Sequence, residues 1–347
     1  MRYSFPHTLC LLLTCLLTSC APATSQGALF FYVKAGATPT LVLLDTPDSS
    51  TPLREIALTP PPDCGFWSLT PAPTGPLAAL EWQCSFGLVT QIVNTRDGNV
   101  SFLLDPPTSD VHFLAWGNDG VTLYAKTGAT TNPQIVRVDA QSHQQTVLSQ
   151  VSPYTYNFTV SPTDGVLLWA FTKGIGFGSE VWGSNADGSS PQMVLSDPQH
   201  IVGLIRYSPD GKYVAAIRQP DGQEQFPQGE LWLSNSDGKR PHLVANTDAG
   251  RGMFPVWSPD GQKIAFIGRD RPRDPESINL SILTIADTKL STLNLQPSTP
   301  PAWSPDGARL YFTLAADGKM ELWFYEISTG KTQKQFDDAC CAGWVGK

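Results

Sequence analysis

Phe254-Pro255-Val256-Trp257-Ser258-Pro259-Asp260-Gly261-Gln262-Lys263-Ile264-Ala265-Phe266-Ile267 is the stretch whose reading decides the fold. An apolar run ends at Trp257, a Ser-Pro-Asp-Gly turn follows, and a second apolar run leaves it. Pro presets φ at the second turn position, Asp bonds its own backbone, and Gly accepts φ > 0 where the chain reverses. The stretch therefore reads as a β-hairpin. Ser208-Pro209-Asp210-Gly211 after Tyr207 and Ser304-Pro305-Asp306-Gly307 after Trp303 repeat it. Degenerate copies are Ser161-Pro162-Thr163-Asp164-Gly165, Gly117-Asn118-Asp119-Gly120 after Trp116, and Pro71-Ala72-Pro73-Thr74-Gly75 after Trp67. The turn glycines fall at 75, 120, 165, 211, 261 and 307, in steps of 45, 45, 46, 50 and 46 residues. A period of that size marks a repeat protein, and a four-stranded propeller blade is the unit of that length.

Gly27 lies 48 residues before Gly75 and extends the series to seven. The run Gly27–Val33 reads as the second strand of a blade that lacks its first, with Thr40–Asp45 and Arg54–Leu58 as its third and fourth. Complete blades follow from Cys64 to Leu104, Val111 to Leu148, Tyr154 to Leu195, Val202 to Val244 and Met253 to Leu295. A seventh begins at Pro300 and ends near Phe336. The tail Cys341-Ala342-Gly343-Trp344-Val345-Gly346-Lys347 takes the first-strand position and stops where a turn would begin. It is expected to pair with Gly27–Val33 and close the ring, which leaves no open edge strand. The fold class is thus all-β, a single propeller of seven four-stranded blades over residues 27–347.

The repeated Trp-Ser-Pro-Asp-Gly followed by an apolar strand resembles the WD-repeat-like propeller repeats of TolB and its relatives. Three copies match closely, and the resemblance covers nearly all of the chain after the leader. It implies the propeller fold and a tendency to serve as a binding platform. The additional N-terminal α/β domain of TolB has no room here.

Ahead of the repeats, Arg2 precedes the apolar Leu9–Leu17, a run too short to span a bilayer. Leu17-Thr18-Ser19-Cys20 resembles the bacterial lipobox, which ends in the cysteine that is diacylated and becomes the new N-terminus. Residues 1–19 are therefore expected to be a lipoprotein signal peptide, Cys20 the lipidated residue and residues 20–26 a tether. The protein would face out of the cytoplasm, as a monomer held to the membrane through its N-terminal lipid only. Losing Arg2 with the leader leaves 22 basic against 31 acidic residues, a formal charge of −9. That balance argues against nucleic acid, whose phosphates require a basic face.

Catalytic motifs are missing: there is no Gly-x-Ser-x-Gly elbow, no His-Glu-x-x-His and no phosphate-cradling glycine loop. His112, His143, His200 and His242 are scattered, so no catalytic residue, metal site or cofactor is assigned. The turn carboxylates Asp119, Asp164, Asp210, Asp260 and Asp306 read as turn chemistry. The aromatics Trp67, Trp116, Tyr207, Trp257, Trp303 and Trp344 read as packing between blades. The second-to-third and fourth-to-first connections share one face, opposite the Ser-Pro-Asp-Gly turns. The longest loops lie there: Arg218–Gly229, Asp248–Gly252 and Arg269–Ser277. Arg251, Arg269, Asp270, Arg271, Arg273, Asp274 and Glu276 form the candidate binding face, since long loops on a rigid scaffold are where binding concentrates. Its arginines suit an anionic group.

Cys64, Cys84, Cys340 and Cys341 are an even set for an oxidising compartment. Residues 64 and 84 are symmetric about the turn at 74 and so face each other across the hairpin, within disulfide reach. A Cys64–Cys84 bridge is expected, and with it a vicinal Cys340–Cys341 bridge. The competing arrangement joins Cys64 to Cys340 or Cys341 across adjacent inner strands. Two functions stay open: a non-enzymatic, membrane-anchored platform for a protein partner at the cell envelope, which is favoured, and an enzyme or small-ligand sensor at the channel mouth.

Overall fold

The computed structural model describes residues 27–347 except 37, 105–109, 129–131, 153, 223–226, 250–252, 272–273 and 275. The leader, Cys20 and the tether lie outside the described residues. Seven four-stranded antiparallel sheets follow one another along the chain. Blade 2 runs from Gly65–Pro71 to Val100–Phe102, blade 3 from Val111–Trp116 to Gln145–Val147, and blade 4 from Thr155–Val160 to Gln192–Asp197. Blade 5 runs from His200–Tyr207 to His242–Asp248, blade 6 from Val256–Trp257 to Lys289–Leu293, and blade 7 from Ala302–Trp303 to Lys331–Asp337. Blade 1 takes Ala339–Gly346 as its first strand and Ala28–Lys34, Thr40–Leu44 and Arg54–Ala57 as the rest.

The turns behave as their sequence requires. In blade 6 the Gly261 amide bonds the Ser258 carbonyl at 2.8 Å and Gly261 sits at φ +68°. The Ser258 hydroxyl donates to Asp260, whose Oδ1 accepts the Gln262 amide at 3.0 Å. The same contacts recur at Ser208/Asp210 and Ser304/Asp306. The aromatic before the turn is an inter-blade connector. Trp116 Nε1 donates to the Thr70 carbonyl at 3.0 Å, Trp257 to Arg206 at 3.3 Å and Trp303 to Val256 at 3.0 Å, each on the first strand of the preceding blade.

Closure follows the expected register: Trp344 lies opposite Phe30, three residues past Gly27, just as Trp257 lies opposite Ile264, three past Gly261. The Trp344 ring meets Phe30 and Tyr311 with centroids 5.2 and 5.3 Å away, joining blades 1 and 7. The last amide, Lys347, bonds the Gly27 carbonyl at 2.8 Å.

Trp67 departs from the expected packing. It lies eight residues before its turn glycine instead of four, at the bulge between Phe66 and Ser68, and is 57% exposed. A bulge adds one residue to one strand and re-aims the side chains around it. Pro71 holds the position that Trp257 holds in blade 6.

Candidate functional site

The connections of the loop face divide into two regions. In blade 6 they are occupied with themselves. Arg269 is drawn fully inside, against expectation: its guanidinium pairs with the buried carboxylate of Asp248 and donates to the Asp274 carbonyl. Asp274 also takes Arg271 at 2.7 Å and the Glu276 amide at 3.0 Å. Asp270 accepts from Asn279 Nδ2 at 2.7 Å, and the Glu276 carbonyl accepts from Gln296 at 2.7 Å. Arg251 and Arg273 lie outside the described residues. Of the charged groups read from the sequence, Asp270, Arg271 and Glu276 stay exposed, and Asp270 and Arg271 already have partners within the loop.

The second region spans blades 2 to 4. A cleft of about 600 Å³ is lined by Gln83, Asp110, His112, Lys126, Tyr154 and Lys173, among others. The strand Leu77–Cys84 is apolar except for Glu81 and Gln83, and Glu81 is buried. Its carboxylate accepts the Ser68 hydroxyl at 2.8 Å and the Phe113 amide at 3.0 Å. His112 places Nδ1 3.2 Å from Glu81 Oε1, off the hydrogen-bond axis. That nitrogen is buried, while the side chain as a whole is part-exposed and lines the cleft. Lys126 lies opposite His112 on the neighbouring strand. Asp110 is turned to the backbone, where Oδ1 accepts the Leu88 amide at 2.7 Å.

The blade 4 connection at the edge of this cleft is fixed from within. Thr172 Oγ1 donates to the Gly178 carbonyl at 2.6 Å. Asp221 Oδ2 accepts the Gly176 and Gly178 amides at 2.8 and 2.7 Å, and these bonds hold its carboxyl below the usual range. Gly178 sits at φ +65°, and a Cβ there would fall 2.1 Å from the Asp197 carbonyl oxygen, so the loop needs glycine. The loop turns Ile175 and Phe177 outward, 64% and 66% exposed.

His112 and Glu81 went unrecognised as a site in the sequence. The available signal was a lone acid in an apolar strand, which implies a buried carboxylate in need of donors. The remaining histidines are structural: His143 Nδ1 meets the Leu103 carbonyl, His242 the Arg240 carbonyl, and His200 lies among Asp197 and Arg218.

Cys64 and Cys84 form the expected disulfide, Cα–Cα 4.2 Å, beside this region. The vicinal bridge is not formed. Cys340 and Cys341 stand as thiols with sulfurs 2.7 Å apart, and neither is joined to Cys64. Cys341 sits at φ +60° in the bulge of the closing strand. The hydrogen bond from Cys341 lowers the Cys340 thiol pKa, while that same contact, then burial, pushes Cys341 up. Among the described residues no three His, Cys, Asp or Glu side chains gather as a metal site.

No family model matches the chain, and no curated protein matches its sequence. Solved structures do. TolB from Acinetobacter baumannii superposes with a TM-score of 0.52 at 16% identity, over 92% of this chain and 83% of that one. The chain is a TolB-like propeller in its fold. An oligogalacturonate lyase in complex with manganese gives a TM-score of 0.59 at 14% identity, over 83% of this chain and 82% of the lyase. A puromycin-hydrolyzing peptidase of Mycobacterium tuberculosis gives 0.58 at 14%, over 92% of this chain and 55% of the peptidase. At these identities the TolB-like ring is shared and the activities do not transfer, since one propeller carries many functions.

Proposed function

We propose that this protein is an exported lipoprotein, acylated at Cys20 after loss of residues 1–19, whose propeller is a non-enzymatic platform for a protein partner at the cell envelope. Residues 20–26 are its tether. The observation that carries the reading is the polarity of the ring. Gly27, where the proposed tether would join the fold, lies on the Ser-Pro-Asp-Gly turn face, its carbonyl bonded by the Lys347 amide. The loop face is therefore directed away from the anchoring membrane. That face displays Tyr154, Ile175 and Phe177 as exposed large side chains. Apolar residues gathered in this way on a rigid scaffold mark association sites.

Two measurements test it. Labelling with a clickable fatty acid should tag the wild type and not Cys20→Ser, which should leave the membrane fraction. A photo-reactive residue at 177 should crosslink an envelope protein in cells, and one at Gln262, on the turn face, should not. Crosslinking from 262 alone would place the partner on the wrong face and defeat the proposal.

The Glu81–His112 arrangement supports a second reading, an active or sensing site in the cleft. His112→Asn keeps a polar side chain and removes the base. Loss of a small-molecule response in that variant, with partner crosslinking intact, would favour the second reading.

A further inference from the structure

Ile175 and Phe177 are held out into solvent by a loop whose backbone is tied by Thr172 and Asp221. A rigid loop that exposes two large apolar side chains has already lost its conformational entropy, so covering them on binding costs little more. Tyr154, exposed just ahead of the first strand of the same blade, lines the cleft together with Thr172, Lys173 and Gly174 of this loop.

The charges next to this apolar rim are not balanced in the same way on both signs. Among the described residues Lys126 and Lys173 make no ion pair. Asp110, the acid in the cleft lining, accepts the Leu88 amide, and the buried Glu81 accepts the Ser68 hydroxyl and the Phe113 amide. The cleft thus presents two free ammonium groups flanked by apolar side chains, on a chain of formal charge −8. Its complement is acidic and apolar at once.

We infer that the cleft and the Thr172–Gly178 loop form a docking groove for an acidic peptide segment of the partner, whose carboxylates meet Lys126 and Lys173 and whose apolar side chains cover Ile175, Phe177 and Tyr154. This rests on the platform reading above and adds the location and the chemistry. The anchoring membrane is the weaker occupant, because Gly27, where the proposed tether joins, lies on the opposite face. A lysine ammonium is a mobile point charge, suited to a carboxylate whose exact position varies among partner side chains.

The test uses the full acylated protein in detergent micelles and a dansyl-labelled peptide alternating Glu with Leu and Phe. Controls are the same peptide with Lys for Glu, and with Ser for Leu and Phe. The acidic–apolar peptide should bind and both controls should not. Lys126→Gln with Lys173→Glu should weaken binding by about tenfold or more, as should Phe177→Ser. Lys289→Glu, on the outer strand of blade 6, should leave binding unchanged. No binding by the first peptide, or binding indifferent to Lys126, Lys173 and Phe177, overturns the groove. So does binding of phosphatidylglycerol vesicles through those residues without peptide binding. If the groove fails while crosslinking from position 177 still captures an envelope protein, the platform stands without this chemistry. If the peptide binds and no envelope protein is captured, the groove stands and the platform fails.

Discussion

Removing the Arg269 guanidinium is the sharpest test of how the blade 6 loops are built. Its side chain and that of Asp248 are both fully buried, and the two charges pair directly. Arg269→Met keeps most of the stem volume and removes the buried charge that pairs with the Asp248 carboxylate. Breaking one partner of a buried pair costs about 3–5 kcal/mol, whereas replacing both with residues of similar shape is often close to neutral. The Asp274 carbonyl also loses a donor, at about 1 kcal/mol of the same total. Asp248→Asn with Arg269→Met should recover most of the loss, so the coupling should be roughly 2 kcal/mol or more. At about 2 °C per kcal/mol for a chain of this size, the single variant should melt roughly 6–10 °C lower. Thermal unfolding followed by circular dichroism reads this, with crosslinking from position 177 measured below the transition on the same samples. An Arg269→Met protein that melts like the wild type but has lost its partner would refute the reasoning and make Arg269 a binding residue.

Three further outcomes are expected. Deleting residues 343–347 removes Trp344 and the pairing of blade 1's first strand with Ala28–Phe31, and should lower the melting temperature by far more than a point substitution, with dye binding to exposed edges; a cooperative transition at the wild-type temperature would show that the tail does not close the ring. Replacing Cys64 and Cys84 by serine opens a covalent loop with a sequence separation of 20, and should cost about 3 kcal/mol by loop entropy, measurable in urea. Partial burial raises the carboxyls of Asp210, Asp260 and Asp306, but the Lys212 ammonium at Asp210 and, at all three, hydrogen bonds from serine hydroxyls and turn amides outweigh it and leave each below its ordinary value. Their folded forms therefore bind protons less readily than the unfolded chain, so the stability they add is whole above about pH 5 and is lost as pH falls through about 4 and below; the triple Asp→Asn variant should show a flatter acid limb of stability against pH.

The repeat was legible because each Ser-Pro-Asp-Gly turn is specified by its own four residues, and the Cys64–Cys84 bridge because hairpin symmetry fixes it. What could not be read depends on contacts between segments or on backbone irregularity. Trp67 precedes a turn as the other aromatics do, but it stands four residues farther from its glycine, and a bulge turns it outward. Arg269 and its neighbours looked like one charged loop, yet the partner that buries Arg269 is Asp248, on the previous blade. Glu81 and His112 are ordinary residues 31 positions apart, and only the stacking of blades 2 and 3 brings them together. Cys341 has Gly36 where a cross-hairpin cysteine would stand, which leaves Cys340 as its neighbour, yet the two remain thiols.

The seam at Gly27 has a mechanical meaning. A pull on the chain ahead of Gly27, such as the proposed lipid anchor would exert, enters the ring along Ala28–Lys34, which is an interior strand of its sheet, with Ala339–Gly346 on one side and Thr40–Leu44 on the other. Force along such a strand loads two ladders of hydrogen bonds together, in shear, where an edge strand pulled sideways would give up its bonds one at a time. Lys347 reinforces the point of entry: its amide holds Gly27, its carbonyl takes Arg96 at 2.7 Å and its ammonium reaches Asp45 at 3.1 Å. The place where the first and last described strands meet is thus braced against tension applied at Gly27.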